Sequence, residues 1–273
     1  MTEFRDDDLI EFAAHGALPL PQTNIQGHVP HDGATIWYSS FGSGEPVILL
    51  HGGLGHGGNW GYQVPAFLEH GYQVIVIDSR GHGRSTRDSR PFSYDLMASD
   101  VLAVMDVLGI EQASFVGWSD GAVIALALAK NVPARVSRVF FFACNVDSSG
   151  TKDFEFTPVV ERCFKRNGED YATLSATPND FDDFAAAVSE MQRTQPNYQV
   201  DDLVKITVPV TSALSENDEF IKLEHAKYLA ANIPGAVFVE LHNVSHFAPV
   251  QRPETFNRAI LDFLKQPQVE IHG

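Results

Sequence analysis

The stretch Ala113-Ser-Phe-Val-Gly117-Trp118-Ser119-Asp120-Gly121-Ala-Val-Ile-Ala-Leu-Ala-Leu-Ala-Lys130 reads as a short apolar strand that turns at once into a helix. At the turn stands Gly-x-Ser-x-Gly, with Gly117, Ser119 and Gly121 as its fixed positions. So sharp a strand-to-helix turn forces the serine into a strained backbone conformation, and side chains on the flanking glycines would collide with the neighbouring strand and helix. The hydroxyl is then expected to stand exposed above the carboxyl end of a sheet.

Working outward, the same alternation recurs on both sides. Ala34 to Phe41 alternates like a half-exposed strand, whereas Pro46 to Leu50, Gln73 to Ile77 and Val136 to Ala143 are short continuous apolar runs. Continuous runs are the mark of parallel strands buried on both faces. Helix-length segments lie between them at Asn59 to His70, Ser93 to Leu108 and Asp120 to Lys130. The alternation stops after Asn145 and resumes at Val208 to Leu214, followed by a helix from Lys222, a strand Ala236 to Leu241 and a last helix Pro253 to Leu264. The interruption reads as helices, Pro158 to Lys165 behind a Thr157 cap and Asp180 to Arg193 with an apolar face. The expectation is an α/β fold: a mostly parallel, doubly wound sheet with a helical cap inserted between two strands over the sheet's carboxyl edge. Residues 1–27 form an N-terminal extension, 28–145 and 206–273 the core, and 146–205 the cap.

A serine hydroxyl near neutral pH is a weak nucleophile, so a histidine must take its proton and a carboxylate must hold that histidine. Asp218 falls in the loop after the strand Val208 to Leu214, and His246 in the loop after Ala236 to Leu241. One strand and one helix separate them, the topology that brings both loops beside Ser119. Glu216, Glu219 and Asp147 compete for the role of acid, and His242 for that of base. A tetrahedral intermediate needs two fixed N–H donors: one follows the nucleophile, at Asp120, and the other belongs in the first strand-to-helix loop, His51-Gly-Gly-Leu-Gly-His-Gly-Gly58. Gly53 is the expected donor, with Leu54 as its neighbour in register. His51 and His82 read as residues that brace these loops. Trp60, Trp118 and the cap phenylalanines are expected to line an apolar substrate pocket.

His51-Gly-Gly53, Asp78-Ser-Arg-Gly-His-Gly-Arg-Ser85, Gly117-Trp-Ser-Asp-Gly121, Asp218 and His246, in that order, resemble the α/β-hydrolase fold serine hydrolases over roughly residues 28 to 265. The resemblance implies a cofactor-independent hydrolase of small or medium carboxylic esters. Lactonases, carbon–carbon bond hydrolases, amino-acid ester or amide hydrolases and cofactor-free perhydrolases share this machinery, and a non-catalytic receptor is a more distant alternative. The Trp-Ser-Asp turn is similar to the valacyclovir hydrolase branch, which implies that Asp120 grips a substrate amino group. Gly53 to Gly58 also matches Gly-x-Gly-x-x-Gly with Asp78 about 20 residues on. A dinucleotide loop, however, begins its glycines directly after the strand, and here His51-Gly52 intervenes.

Composition narrows the partners. With 19 Lys+Arg against 35 Asp+Glu among 273 residues, the net charge is −16, which disfavours nucleic acid and anionic membranes. The longest apolar stretch, Ala122 to Ala129, is far short of the roughly 20 residues a membrane span needs. Met1 to Asp8 does not resemble a signal peptide, and Cys144 and Cys163 cannot build a disulfide framework. A cytoplasmic protein acting on a small-molecule ester, as monomer or homodimer and without metal, is the expectation; His28-Val-Pro-His31 alone is a weak metal pair.

Overall fold

The computed structural model describes residues 8–23 and 25–265. Most of Met1 to Asp8, and the outer limits of the extension and core at residues 1–7 and 266–273, lie outside the described residues.

Eight strands form one sheet in the order β1-β2-β4-β3-β5-β6-β7-β8. They are β1 (Ile25–His31), β2 (Ala34–Phe41), β3 (Pro46–Leu50), β4 (Gln73–Ile77), β5 (Ala113–Trp118), β6 (Val136–Phe142), β7 (Val210–Asn217) and β8 (Val237–Ser245). β1, β2 and β4 pair antiparallel, and every pair from β4 through β3 to β8 is parallel. The central strands β3, β4, β5 and β6 are buried almost throughout. Short apolar runs with no polar face leave them no other stable place.

Among the described residues the helices are α1 (Asp8–His15), α2 (Gln63–Leu68), α3 (Tyr94–Val107), α4 (Asp120–Asn131), α5 (Pro158–Leu174), α6 (Phe181–Thr194), α7 (Val200–Leu203), α8 (Leu223–Asn232), α9 (Ala248–Gln251) and α10 (Pro253–Leu264). Side-chain oxygens of Ser93 and Thr157 cap α3 and α5 by accepting from Leu96 and Val160 amides. Helix α4 is sheathed on all sides, with each residue from Asp120 to Ala129 buried. Two apolar layers flank the sheet, one centred on α3 and α4 and the other on α2 and α10. Between β6 and β7 the chain leaves the sheet and makes α5, α6 and α7.

Three details differ from the sequence reading. The expected helix Asn59 to His70 is divided into a 3-10 turn, Gly57–Trp60, and the short α2, because the turn is fixed by Asn59 Oδ1 accepting from the His56 amide. Strand β8 runs on to Ser245 rather than ending at Leu241; Asn243, at φ 56, bends it. A register shift against β7 then pairs Asn217 with Ser245. Helix α1 and the first residues of strand β1, Ile25 to Gly27, lie within the segment read only as an extension.

Candidate active site

Ser119 sits at the β5–α4 turn with φ 53 and ψ −123, a conformation that side-chain-bearing residues seldom adopt. Its amide donates to the Phe142 carbonyl at 2.8 Å, and its carbonyl accepts from the Ala122 amide at 2.8 Å, so β6 and α4 hold the strained residue from both sides. The flanking glycines are required by contact. A Cβ on Gly117 would occupy the backbone of Ala122, and one on Gly121 would strike the Leu50 carbonyl.

The register that pairs Asn217 with Ser245 places the next residue on each strand, Asp218 and His246, face to face. His246 Nδ1 lies 3.0 Å from Asp218 Oδ2, and both residues are buried. The other carboxylate oxygen, Oδ1, accepts from the Phe220 and Ile221 amides at 2.9 and 2.8 Å, which fixes the carboxyl plane. With Nδ1 donating to Asp218, Nε2 is the acceptor nitrogen. Burial works to lower the His246 pKa, but the charges of Asp218, Glu219 and Asp120 and the bond to Asp218 together raise it above the usual imidazole value. Glu219 acts on the backbone, accepting from the His246 amide at 2.9 Å.

Ser119 and His246 line one cavity of about 570 Å³, together with Gly53, Asp120, Trp118, Cys144 and residues of α5 and α6. The Cys144 thiol donates to Asn145 Oδ1 at 3.8 Å, and burial pushes its pKa well up, so that thiol is neutral. Asp120 points into the cavity wall. Its carboxylate accepts from Tyr94 Oη at 2.9 Å and from Gln192 Nε2 at 3.1 and 3.0 Å, and burial outweighs those two donors to raise its pKa. Tyr94, Gln192 and Cys144 carry no motif, and the sequence reading missed them; only the fold brings α3 and α6 to the first residue of α4.

The glycine loop is oriented by His51. The Ser79 amide donates to Nε2 at 3.0 Å, so Nδ1 carries the proton and donates to the Gly52 carbonyl at 2.8 Å. The Gly55 amide also donates to that carbonyl, at 3.1 Å. In a trans peptide the N–H of Gly53 points opposite to the Gly52 carbonyl. Gly52 lies against the nucleophile, since a Cβ there would stand 3.2 Å from Ser119 Cβ. The Asp120 amide is at the first turn of α4, where N–H groups lack intrahelical partners. Burial lowers the pKa of His51 to about 4 and that of His82 to about 3, so both rings are neutral.

The remaining expected residues divide. Trp118 lines the cavity, whereas Trp60 is fully buried one layer back, edge-on to Trp118 at 6.1 Å and stacked on Phe256 at 6.2 Å. Asp147 accepts from the Ser149 amide to cap a short turn, and His242 pairs with Glu216 on the surface. Asp78 is fully buried, accepting from the Gly57 amide at 2.6 Å, the Arg84 amide at 2.7 Å and the Arg84 guanidinium at 2.9 Å. It ties the glycine loop to the next turn and is closed to a ribose. His31 donates to or accepts from Ser99 Oγ at 3.1 Å.

A strained serine at a strand-to-helix turn, on an eight-stranded mostly parallel sheet, defines the class, and the comparisons agree. A family profile described as alpha/beta hydrolase fold matches residues 45–157. RutD of Azorhizobium caulinodans, named for an unconfirmed carbamate hydrolase activity, is 30% identical over 255 residues, covering 84% of this chain and 95% of that one. The chain belongs to the alpha/beta hydrolase fold family. The 3-oxoadipate enol-lactonase 2 of Acinetobacter baylyi is 26% identical over 266 residues, covering 90% of this chain and 99% of the lactonase. Among solved structures, Est816, described as an N-acyl homoserine lactone degrading enzyme, superposes with TM-score 0.69 at 29% identity, covering 87% of this chain and all of its own. The relatives named above carry hydrolase or lactonase names, and a non-heme chloroperoxidase of Streptomyces lividans is similar at 27% identity over 274 residues. Among the described residues no helix is long and apolar enough to cross a membrane.

Proposed function

We propose that the protein hydrolyses carboxylic esters through an acyl-enzyme on Ser119. The observation that carries this reading is the shared cavity of Ser119, held at φ 53, and His246, whose Nδ1 lies 3.0 Å from buried Asp218. Ser119 Oγ bonds to the ester carbonyl carbon while His246 Nε2 takes the hydroxyl proton. Asp218 keeps the ring in that tautomer and stabilises the imidazolium. The oxyanion is received by the amides of Gly53 and Asp120, both fixed before substrate arrives. His246 then gives its proton to the departing alkoxide, and a water deprotonated by the same nitrogen splits the acyl–Ser119 bond.

The cavity supports a substrate with an apolar portion. Phe154, Phe156 and Phe164 line it and are exposed, forming an aromatic mouth that continues through Phe220, whose ring meets the edge of His246 at 4.7 Å. The relatives named for enol-lactone and homoserine lactone substrates place lactones, which are internal esters, in the first panel. A second reading, an amino-acid ester, is favoured by the Asp120 carboxylate on the cavity wall beside the nucleophile. A free-amino ester cleaved faster than its N-acetyl counterpart, with the preference lost in Asp120→Asn, would support it.

The deciding experiment is labelling with a fluorophosphonate and mass spectrometry of the modified peptide. Modification of Ser119, abolished in Ser119→Ala and His246→Ala, is the expected result. A folded protein that takes no label would overturn the reading.

A further inference from the structure

Helix α1 is outside the sheet and its crossovers, yet it is part of the cavity. Leu9 is fully buried and Phe12 is 3% exposed, while Ile10 on the opposite face is half exposed. The helix packs on α5 and on α9, the segment that directly follows His246, and shares an apolar cluster with Val159 and Cys163 of α5. Phe12 itself lines the cavity, beside Asn59, Val160 and Cys163.

The chain that follows α1 is seated against the glycine-loop side of the cavity. Gly16, at φ 74, ends the helix, its amide donating to the Phe12 carbonyl at 2.8 Å. Beyond it the Leu18 carbonyl lies where any side chain on Gly61 would have to be, so the segment is seated against the 3-10 turn that follows the glycine loop. Beside Gly16, Asp170 of α5 bonds Arg166 at 2.7 Å and His56 of the glycine loop at 3.3 Å. Phe12 thus lines the cavity from a helix packed on α5 and α9.

We propose that Phe12 is a specificity-determining residue: it forms a wall of the catalytic cavity from outside the hydrolase core and sets the longest acyl or alkyl chain that the site accepts. The proposal rests on the ester-hydrolase reading of Ser119. A benzyl group removed from a cavity wall leaves room for several methylenes, and each methylene admitted to an apolar pocket changes kcat/KM by a factor that single-group discrimination makes large.

The test measures kcat/KM for p-nitrophenyl esters from acetate to decanoate with the full chain and with Phe12→Ala, Phe12→Leu and Phe12→Trp. In Phe12→Ala the ratio of long-chain to short-chain kcat/KM is expected to rise roughly tenfold, through KM more than kcat. Phe12→Trp should lower the ratio, and Phe12→Leu should fall between wild type and Phe12→Ala. The same ratio is read from labelling rates of Ser119 by short- and long-alkyl fluorophosphonates, so it does not depend on nitrophenyl esters being substrates. If Phe12→Ala does not fold, the opposite shift in Phe12→Trp decides. Chain-length profiles that superimpose in folded, labelling-competent variants overturn the role of Phe12 alone. A wild type that neither takes label at Ser119 nor cleaves any ester overturns the hydrolase reading and this proposal with it.

Discussion

At the scale of single residues, burial and charge act on the proposed base in opposite directions. His246 is raised above the ordinary imidazole value despite its burial, because Asp218, Glu219 and Asp120 favour its cation. A base must be neutral to accept the serine proton, so kcat/KM is expected to rise with pH along a limb whose midpoint lies above the ordinary 6.5 or so. Asp218→Asn removes the strongest attraction and leaves the ring in either tautomer. We expect activity to drop by about 10⁴-fold, with the limb displaced to lower pH, as read from a pH–rate profile on one ester. Gly53→Ala is a second probe. Its Cβ would stand 2.6 Å from both Asp120 Oδ2 and Gln192 Nε2, so either those side chains or the loop that carries the proposed oxyanion donor must shift. If the Gly53 amide is displaced, kcat on one ester in the folded Gly53→Ala protein falls by about 10²- to 10³-fold, the size of one lost oxyanion donor.

Among elements, the one most exposed to test is the contact of α6 with α4. Gln192 reaches from α6 to donate to both oxygens of Asp120, a residue 5% exposed. Gln192→Leu keeps the volume but strips the carboxylate of one of its two side-chain donors, Tyr94 remaining. Leaving a buried acceptor short of partners costs about 1–3 kcal/mol. The unfolding free energy from urea titration should fall by that much, and KM should rise if α6 loosens over the cavity; an unchanged free energy would show that α6 is held by its apolar face alone. This contact also marks the limit of what was legible in the sequence. The strands β2, β3 and β4 and the final helix were readable to the residue, because runs such as Pro46 to Leu50 have no polar face and end in turn formers. Asp218 and His246 were readable as candidates because each falls in a loop a few residues past an apolar run, Val208 to Leu214 and Ala236 to Leu241. Helix α1 was not, since Asp8–His15 is too short to be stable alone and owes its existence to burying Leu9 and Phe12 on α5 and α9. Strand β1 was hidden by Gly27 and Pro30, tolerated because it is an edge strand. The run of β8 past Leu241 depends on a register shift against β7, which no local pattern encodes. Trp60, in the 3-10 turn, lies behind Trp118 at the end of β5, a matter of packing depth rather than of residue type.

For the whole molecule, the loops that carry the site are braced by two neutral histidines whose rings lie 5.1 Å apart, and this couples stability to pH. His82 donates from Nδ1 to the Arg80 carbonyl at 2.9 Å and packs edge-on to Phe184 of α6 at 4.7 Å, so it links the turn after β4 to α6. Desolvation by burial is the largest cause of both low values, about 4 for His51 and about 3 for His82. The unfolded chain therefore binds protons that the folded chain refuses. The stabilisation from each ring is fully present above the unfolded value of about 6.5 and is lost as pH falls toward the folded value, at about 1.4 kcal/mol per pH unit. Asp100, Asp120 and Glu219, raised chiefly by burial, act with the opposite sign where they titrate. A comparison of two proteins that share those carboxylates cancels them. His82→Gln keeps a donor for the Arg80 carbonyl and has no ring to protonate. Between about pH 6 and pH 5 its unfolding free energy, from urea titrations, should depend on pH less steeply than that of the wild type by about 1.4 kcal/mol per unit. Parallel slopes would mean that the buried ring already carries its proton in the folded protein, and the bracing role of a neutral His82 would fall.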